Sequence, residues 1–426
     1  MKQRNATQTL SWLVVLCGMI VFGACAQPID QPLPDVPKSE RTSAVKGNNL
    51  FAIDLYHKLR DNPTAKQPLF NVFFSPYSVS SALAMTYAGA KGVTAKEMRQ
   101  TLRFQLDDDK LHPAMGWLNI DLNNRGSQGH FQMSVANRLW GQTGYPLESD
   151  FLNLTQKSYQ AGLEALNFSG DAEGSRKTIN KWVEDKTNNR IKDLLPMGSI
   201  SRNTRLVLTN AIYFKGTWKH QFKKEDTRPA PFALQDSTTA TVNVPMMNAK
   251  GKARYAETND AKVLALPYKG ETLEMVWIAP KDKKGLPQLE ALLTLEQLNV
   301  WLDALVEKDK VTMALPTFKF TYEKALKKRL QSLGMIAPFG GADFSGITTA
   351  GGLFISEVFH KAFIEVNEEG SEAAAATAVV MNTDASVDPG EMGPSFRADR
   401  PFLFLIRDKT TNAILFMGRV ANPKVD

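Results

Sequence analysis

Cysteine is almost absent from this chain of 426 residues. The two cysteines, Cys17 and Cys25, both lie close to the N-terminus. If that segment is removed, the remaining chain can form neither a disulfide nor a thiol-based active site. The five histidines show no spacing typical of metal ligands (His57, His112, His130, His220 and His360). We therefore expect no metal site and no cofactor.

Motifs of catalysis are also missing. The chain has no Gly-x-Ser-x-Gly elbow and no glycine-rich phosphate loop. A Ser-x-x-Lys pattern occurs at Ser43–Lys46, but no Lys-Thr-Gly partner follows and no folded segment precedes it. A surface hydrolase is therefore a remote alternative, and we expect a protein that is not an enzyme.

The charge is weakly biased. The formal charge is +7, and basic residues are scattered among acidic ones, so nucleic-acid binding is not indicated. A hydrophobic content of 43% with 22% charged residues is ordinary for a folded globular protein. A sizeable core and a monomer are expected.

The N-terminus resembles the signal of a bacterial lipoprotein. Lys2 and Arg4 precede an apolar run over 13–22, which is too short to span a membrane. Small residues then lead to Cys25, so residues 1–24 are predicted to be removed and Cys25 to be lipidated. An ordinary cleaved signal with an incidental cysteine is the alternative. The proline-rich residues 25–45 predict a disordered tether to a membrane, in the periplasm or at the cell surface, with release to the extracellular space as a further option.

The rest of the chain, 46–426, is predicted to be one α+β domain. Phe51, Leu55 and Leu59 share one helical face, 77–89 is typical of a buried helix, and Thr94 with Glu97 indicates a capping box. Strands dominate the second half. They include a buried strand over 205–214, a hairpin over 263–278 and an apolar C-terminal hairpin over 402–417.

Residues 367–381 combine loop-like charges with small side chains. Read with a period of two, Ser371, Ala373 and Ala375 share one side and Glu372 points the other way. A flexible linker between domains is the simplest interpretation of such a composition. It fails because the apolar hairpin that follows cannot stand alone. The stretch therefore interrupts one fold.

Several stretches together resemble the serpin family, in order from about residue 48 to the end: 71–85 (NVFFSPYSVSSALAM), 208–218 (LTNAIYFKGTW), 333–335 (LGM), 342–346 (ADFSG), 360–362 (HKA), 401–404 (PFLF) and 416–418 (FMG). The resemblance implies three β-sheets, eight to nine helices and an exposed reactive-centre loop at about 368–396. It also implies that a target protease cleaves the loop, forms an acyl-enzyme and is trapped when the cut loop inserts into the central sheet. A non-inhibitory serpin with a binding or chaperone-like role is the alternative.

The resemblance assigns three groups of residues. The loop hinge is formed by Glu368, Gly370, Ser371, Glu372, Ala373, Ala374, Ala375 and Ala376. A polar cluster called the shutter lies under the strands that part for insertion and contains Ser75, Ser78, Asn210 and His360. These four could equally be hydrogen-bonded core residues. The entry point of the loop, the breach, is assigned to Trp218, Lys361 and Lys319. In relatives, the residue that matches Glu368 often pairs with a lysine directly after a Leu-Pro pair. Here Thr317 occupies that position, and Lys319 is the nearest substitute.

The bond attacked by the protease follows from the family's spacing. Counting from Glu368 gives Asp384-Ala385, whereas counting back from Phe396 gives Asp388-Pro389, a poor substrate. We predict cleavage at Asp384-Ala385, with Met381, Asn382 or Thr383 as alternative positions. A buried carboxylate requires a basic partner, so the protease pocket is expected to be basic.

Overall fold

The computed structural model describes residues 31–61, 70–160, 162–234, 240–282, 285–371 and 393–424. Within these parts, nine α-helices are present: α1 Lys38–Arg60, α2 Pro76–Tyr87, α3 Gly92–Thr101, α4 Asp108–Ser127, α5 Ser149–Tyr159, α6 Ala172–Lys186, α7 Leu286–Ala291, α8 Leu295–Asp303 and α9 Lys327–Ser332. None of the helices in the described ranges is long and apolar enough to cross a membrane.

The predicted tether over 25–45 is wrong for its second part. Residues 38–45 are the first turns of α1, which starts at the end of the proline-rich segment. Ala44 and Val45 are buried there, and the Arg41 guanidinium lies 4.3 Å from the ring centre of Trp117. Serine and threonine in this segment are weak helix formers, so the sequence did not indicate the helix, which is stabilised by packing rather than by intrinsic propensity.

One sheet has six strands in the order β10-β11-β12-β4-β2-β3. Its members are β2 Phe131–Gln142, β3 Leu163–Leu166, β4 Leu206–Thr217, β10 Phe318–Ala325, β11 Ile355–Asn367 and β12 Gly370–Ser371. The central strand β4 is buried along most of its length, as its consecutive apolar residues predict.

The other strands form a nine-stranded network: β1 Val72–Phe74, β5 Arg228–Ala233, β6 Thr241–Glu257, β7 Ala261–Pro267, β8 Leu273–Pro280, β9 Val306–Pro316, β13 Ser395–Arg397, β14 Phe402–Asp408 and β15 Ile414–Val420. Strand β6 belongs to two parts of this network. Its first residues pair with β5, and its last four pair with β7. Strand pairing thus gives two sheets, of which the larger is continuous through β6, whereas the resemblance implies three.

The C-terminal hairpin forms the centre of the core. Strands β14 and β15 are buried at every position. Phe73 of β1 stacks on Phe404 and Phe416, with ring centres 5.7 and 5.2 Å apart. Close approach also requires Gly418, because a Cβ atom there would lie 2.1 Å from the Val72 carbonyl oxygen. The hairpin is therefore an integral part of the domain.

The predicted capping box at Thr94 and Glu97 is not formed. Helix α3 already begins at Gly92, so both residues lie inside it. The Thr94 hydroxyl instead accepts from the Asp343 backbone N–H (2.9 Å), and the Glu97 carboxylate accepts from the N–H groups of Ile336 and Ala337 (2.7 and 2.6 Å). These side chains fasten a distant loop to α3.

Candidate functional site

The six-stranded sheet is closed along most of its length. Strands β11 and β4 pair directly and in parallel over residues 355–363 and 206–213, so no strand lies between them there. At one end they separate, and β12 occupies the gap between them. Of the described residues that follow β11, only Gly370 and Ser371 lie between the two strands.

The hinge begins inside the sheet. Ser371 is fully buried and pairs with Val366 on one side and Gly216 on the other. Its hydroxyl shares a hydrogen bond of 2.6 Å with the hydroxyl of Tyr268. Burial raises the pKa of Tyr268 far above its ordinary value, so this hydroxyl keeps its proton. The implied exposure of the loop at about 368–396 is therefore wrong at Ser371.

Glycine is required directly before Ser371. Gly370 has a φ of +154°, and a Cβ atom there would lie 2.0 Å from the Gly216 carbonyl oxygen. Only a residue without a side chain can make this reversal between β11 and β12. The sequence Gly370-Ser371 thus encodes a tight turn followed by a small buried side chain.

Trp218 holds the turn from the side of β4. Its indole N–H donates to the Asn367 carbonyl (3.0 Å), and its backbone N–H donates to the Glu369 carbonyl (3.0 Å). The indole ring stacks on Tyr268, with centres 4.7 Å apart and planes at 9°. Trp218 therefore contacts the residues from which the loop starts, and its role in loop entry stays a prediction.

Glu368 has a partner other than the suggested Lys319, and the neighbouring Glu369 is paired as well. Glu368 accepts from the Thr227 hydroxyl (2.7 Å), and Glu369 pairs with Lys224 (2.8 Å). Lys319 pairs instead with Glu365, its direct neighbour across β10 and β11 (3.2 Å). Relatives have a lysine at the position of Thr317, and Lys319 does not take over its pairing with Glu368. Lys319 and Glu368 nevertheless line the same cleft.

Lys361 is not part of the loop entry. It lies halfway along β11, opposite Ala211, whereas Trp218 contacts the end of that strand. Its ammonium group contacts Glu323 (2.9 Å) and the Lys192 carbonyl (2.8 Å). Adjacency to His360 in the sequence does not bring it to the breach, because five residues of extended strand separate it from Asn367.

The four shutter residues are brought together beneath the sheet, and all are fully buried. Asn210 donates to the Ser78 hydroxyl and accepts from the ring of His360. The Ser75 hydroxyl caps α2 by accepting from the Ser78 N–H (3.1 Å) and donates to the Leu415 carbonyl (2.7 Å). The network links β4, β11, α2 and the C-terminal hairpin. Whether it controls insertion remains a hypothesis alongside its structural role.

Asn137 of β2 completes this network and was missed by the sequence interpretation. Its carboxamide oxygen accepts from Ser78 Oγ (3.0 Å) and from Asn210 Nδ2 (2.6 Å). The available signal was a polar residue within the alternating stretch SVANRLW over 134–140. Tyr268 and Thr227 were missed as well, because their partners lie more than a hundred residues away along the chain.

The hydrogen bonds define the state of His360. Its Nε2 accepts from the Ser75 backbone N–H (3.4 Å), so that nitrogen carries no proton, and Nδ1–H donates to the Asn210 side chain. Burial lowers the pKa of His360 to about 3. The ring is thus neutral, and protonation would direct a second N–H at the Ser75 N–H.

Acidification is expected to weaken the closed fold through this histidine. Its folded pKa of about 3 lies below the ordinary value of 6.5, so the unfolded chain binds the proton more readily between these values. Its contribution to stability is complete above pH 6.5 and falls as the pH drops towards 3. A folded-state pKa that is lower by one unit corresponds to about 1.4 kcal/mol of stability. Thermal unfolding midpoints measured from pH 7 to pH 4 check this.

His360→Gln serves as the comparison for that titration. Gln can still accept from the Ser75 N–H but does not titrate, so its unfolding midpoint should depend less on pH than that of the parent. His112, whose pKa burial lowers to about 4, keeps its own contribution in both proteins. Equal pH slopes in parent and variant would contradict the assignment to His360.

The remaining predicted positions lie outside the described residues. These are Glu372, Ala373, Ala374, Ala375 and Ala376 of the hinge, Asp384 and Ala385 of the reactive bond, and Cys25. The first strand described after residue 392 is β13, which pairs in parallel with β9. In the described ranges, no three histidine, cysteine, aspartate or glutamate side chains are grouped so that they could hold a metal ion.

Known proteins are similar to this chain over most of its length. A family model described as "Serpin (serine protease inhibitor)" matches residues 46–423. Human leukocyte elastase inhibitor is 41% identical over 387 residues, covering 88% of this chain and 98% of that protein. Mouse antithrombin-III is 40% identical over 406 residues, covering 93% and 85%. The solved structure of uncleaved ovalbumin has a TM-score of 0.78 at 32% identity, covering 90% of this chain and 100% of the other.

Proposed function

This chain belongs to the serpin family, in which matched relatives carry the names of protease inhibitors, and from that premise we propose that it traps serine endopeptidases as a suicide substrate. The protease would cleave the loop and form an acyl-enzyme. The cut loop would then enter the six-stranded sheet between β4 and β11 and carry the protease with it. Cysteine endopeptidases, which also form acyl-enzymes, are a second class of target.

The observation that carries this proposal is the position of Ser371. Its backbone already pairs with both β4 and β11. A strand that continued in that register would place Ala373, Ala375 and Thr377 on the buried side and Glu372 on the other side. A slip by one residue would bury the charge of Glu372 at a cost of several kcal/mol. The small residues of the hinge therefore fit a strand that fills the gap between β4 and β11.

The test is the formation of a covalent complex. The mature protein is incubated with a panel of serine endopeptidases that includes leukocyte elastase, since a relative is named as its inhibitor. At least one protease should give a complex that survives denaturing electrophoresis. If every protease only nicks the loop, the protein is not an inhibitor of this kind.

Cleavage is expected at Asp384-Ala385. Mass spectrometry of the C-terminal fragment released with the trapped protease should give a mass that starts at Ala385. A fragment that starts after Met381, Asn382 or Thr383 would assign the specificity to that residue instead.

The target specificity provides a second readout for the same position. Trypsin-like enzymes have an acidic specificity pocket, so they should be poor targets of the parent, and Asp384→Arg should convert them into good ones. Asp388→Arg, a loop substitution of identical charge, is the control and should not do so.

We further propose that Cys25 is acylated after removal of 1–24 and anchors the protein to a membrane of a bacterial cell, in the periplasm or at the cell surface. The support is the charged, apolar and small-residue order of the N-terminal segment. In a bacterial host, intact-mass analysis should find lipid on a chain that begins at Cys25. Cys25→Ser should lose the lipid and move to the soluble fraction, whereas Cys17→Ser should remain lipidated. Lipid on neither parent nor Cys17→Ser would refute the anchor.

A further inference from the structure

A polar cavity of about 210 Å³ lies beside the shutter, between β2 and helices α2, α4, α5 and α6. Water occupies about 30 Å³ per molecule, so the cavity has room for roughly seven waters or one small metabolite. Its lining contains no residue of β4 or β11. It is thus separate from the path of the loop.

The lining of the cavity favours an anion. It contains the cations Arg138 and Lys186 and the carboxamides of Asn119, Asn123 and Gln160, but no carboxylate. Arg138 pairs with Glu164, which lies outside the lining. Lys186 makes no ion pair within the described residues, so its charge is available to a ligand.

Asn137 belongs both to this cavity and to the shutter. Its oxygen accepts from Ser78 and Asn210, and one of its amide hydrogens goes to the Ser78 carbonyl (3.0 Å). The second amide hydrogen has no partner in the part of the chain that is described. It offers a donor to a ligand oxygen, and through it a ligand would contact the group that joins β2 to β4 and α2.

We propose that this cavity is a binding site for a small anion with several oxygen atoms, such as a hydroxycarboxylate or a sugar phosphate. Lys186 provides the counter-charge, and Asn137 donates to a ligand oxygen. A ligand held in this way stabilises the closed sheet, because it binds best while Asn137 is fixed to Ser78 and Asn210. A more stable closed sheet would slow insertion of the loop, and this consequence rests on the proposed inhibitory function. Binding of the anion does not rest on it.

Calorimetric titration of the mature protein tests the site with L-tartrate and glycerol 3-phosphate as the two anions and glycerol as the neutral probe. At least one anion should bind saturably with one site per chain, and glycerol at least tenfold more weakly. Lys186→Gln should weaken anion binding by about tenfold or more, as expected for the loss of a charged hydrogen bond. Lys177→Gln on the same helix, where Lys177 is 71% exposed and lies 4.0 Å from Glu173, should bind like the parent.

Two results would overturn the site: no saturable binding of either anion, or equal affinity in parent and Lys186→Gln. The preference between tartrate and glycerol 3-phosphate then identifies the ligand class. The link to the sheet is tested separately by hydrogen exchange, in which the bound anion should slow exchange of amides in 206–213 and 355–363. Unchanged exchange with ligand bound would refute the link. Neither measurement needs a protease, so a failure of inhibition remains distinguishable.

Discussion

Replacing Ser371 by Arg is expected to abolish trapping and leave a protein that proteases merely cleave. Ser371 is fully buried between β4 and β11, and its hydroxyl touches Tyr268. Arginine at this point would have to bury an unpaired charge, which costs several kcal/mol, and each 1.4 kcal/mol slows insertion about tenfold relative to deacylation. Denaturing electrophoresis should show the cleaved variant and free protease where the parent gives a covalent complex.

Ser371→Ala is the matched control for that substitution. Alanine fits the same space and loses only the hydrogen bond to Tyr268, so trapping should persist with little change in the amount of inhibitor needed per protease. Both variants should still unfold in one cooperative transition, which checks that they are folded, and the midpoint of Ser371→Arg should be the lower of the two. Retained trapping in Ser371→Arg would refute the insertion mechanism at this position.

Replacing Asn210 by Ala is expected to destabilise the closed sheet by about 3 kcal/mol. The substitution leaves the Nδ1–H of His360 without its acceptor and removes the donors to Ser78 and Asn137. A buried polar group left without a partner costs roughly 1–3 kcal/mol. Thermal unfolding should therefore begin several degrees lower. The variant should also lose inhibitory capacity faster at 37 °C, because the closed form loses more stability than an inserted one.

The control for Asn210 is Asn203→Ala, a substitution of the same kind at an exposed position. It should unfold within about one degree of the parent. If Asn210→Ala and Asn203→Ala have the same unfolding midpoint, the cluster stabilises the closed state no more than a surface amide does. Its proposed role in holding β4 and β11 together is then refuted.

Local pattern was sufficient for much of the fold. The face formed by Phe51, Leu55 and Leu59 is fully buried in α1, and the run over 205–214 forms the buried strand β4. The apolar hairpin at the C-terminus is likewise buried throughout. These elements carry strong periodicity or strong hydrophobicity, and the physics that identifies them acts over a few residues.

Contacts between elements that are distant in the sequence were harder to predict. The four shutter residues were named from the resemblance, but Asn137 was not, because nothing in the sequence indicates which strand lies beside β4. Glu368 accepts a hydrogen bond from Thr227, and Lys319 forms an ion pair with Glu365 on the neighbouring strand. Such choices depend on register and side-chain reach after the sheets have formed. The helical start at Lys38 was hidden for a similar reason, since its stabilising contacts come from α4.

The two ends of segment 372–392 are fixed in different sheets. Ser371 is clamped between β11 and β4, whereas Ser395–Arg397 lies at the edge of the other sheet with only three paired positions on β9. Under the proposed mechanism, an uncut chain can advance into the gap only if this short edge strand detaches, and short edge strands fray at little cost. The time for which the protein stays active is then set by how readily the three paired residues of β13 detach from β9. Strengthening β13 would lengthen that lifetime without altering what the loop recognises.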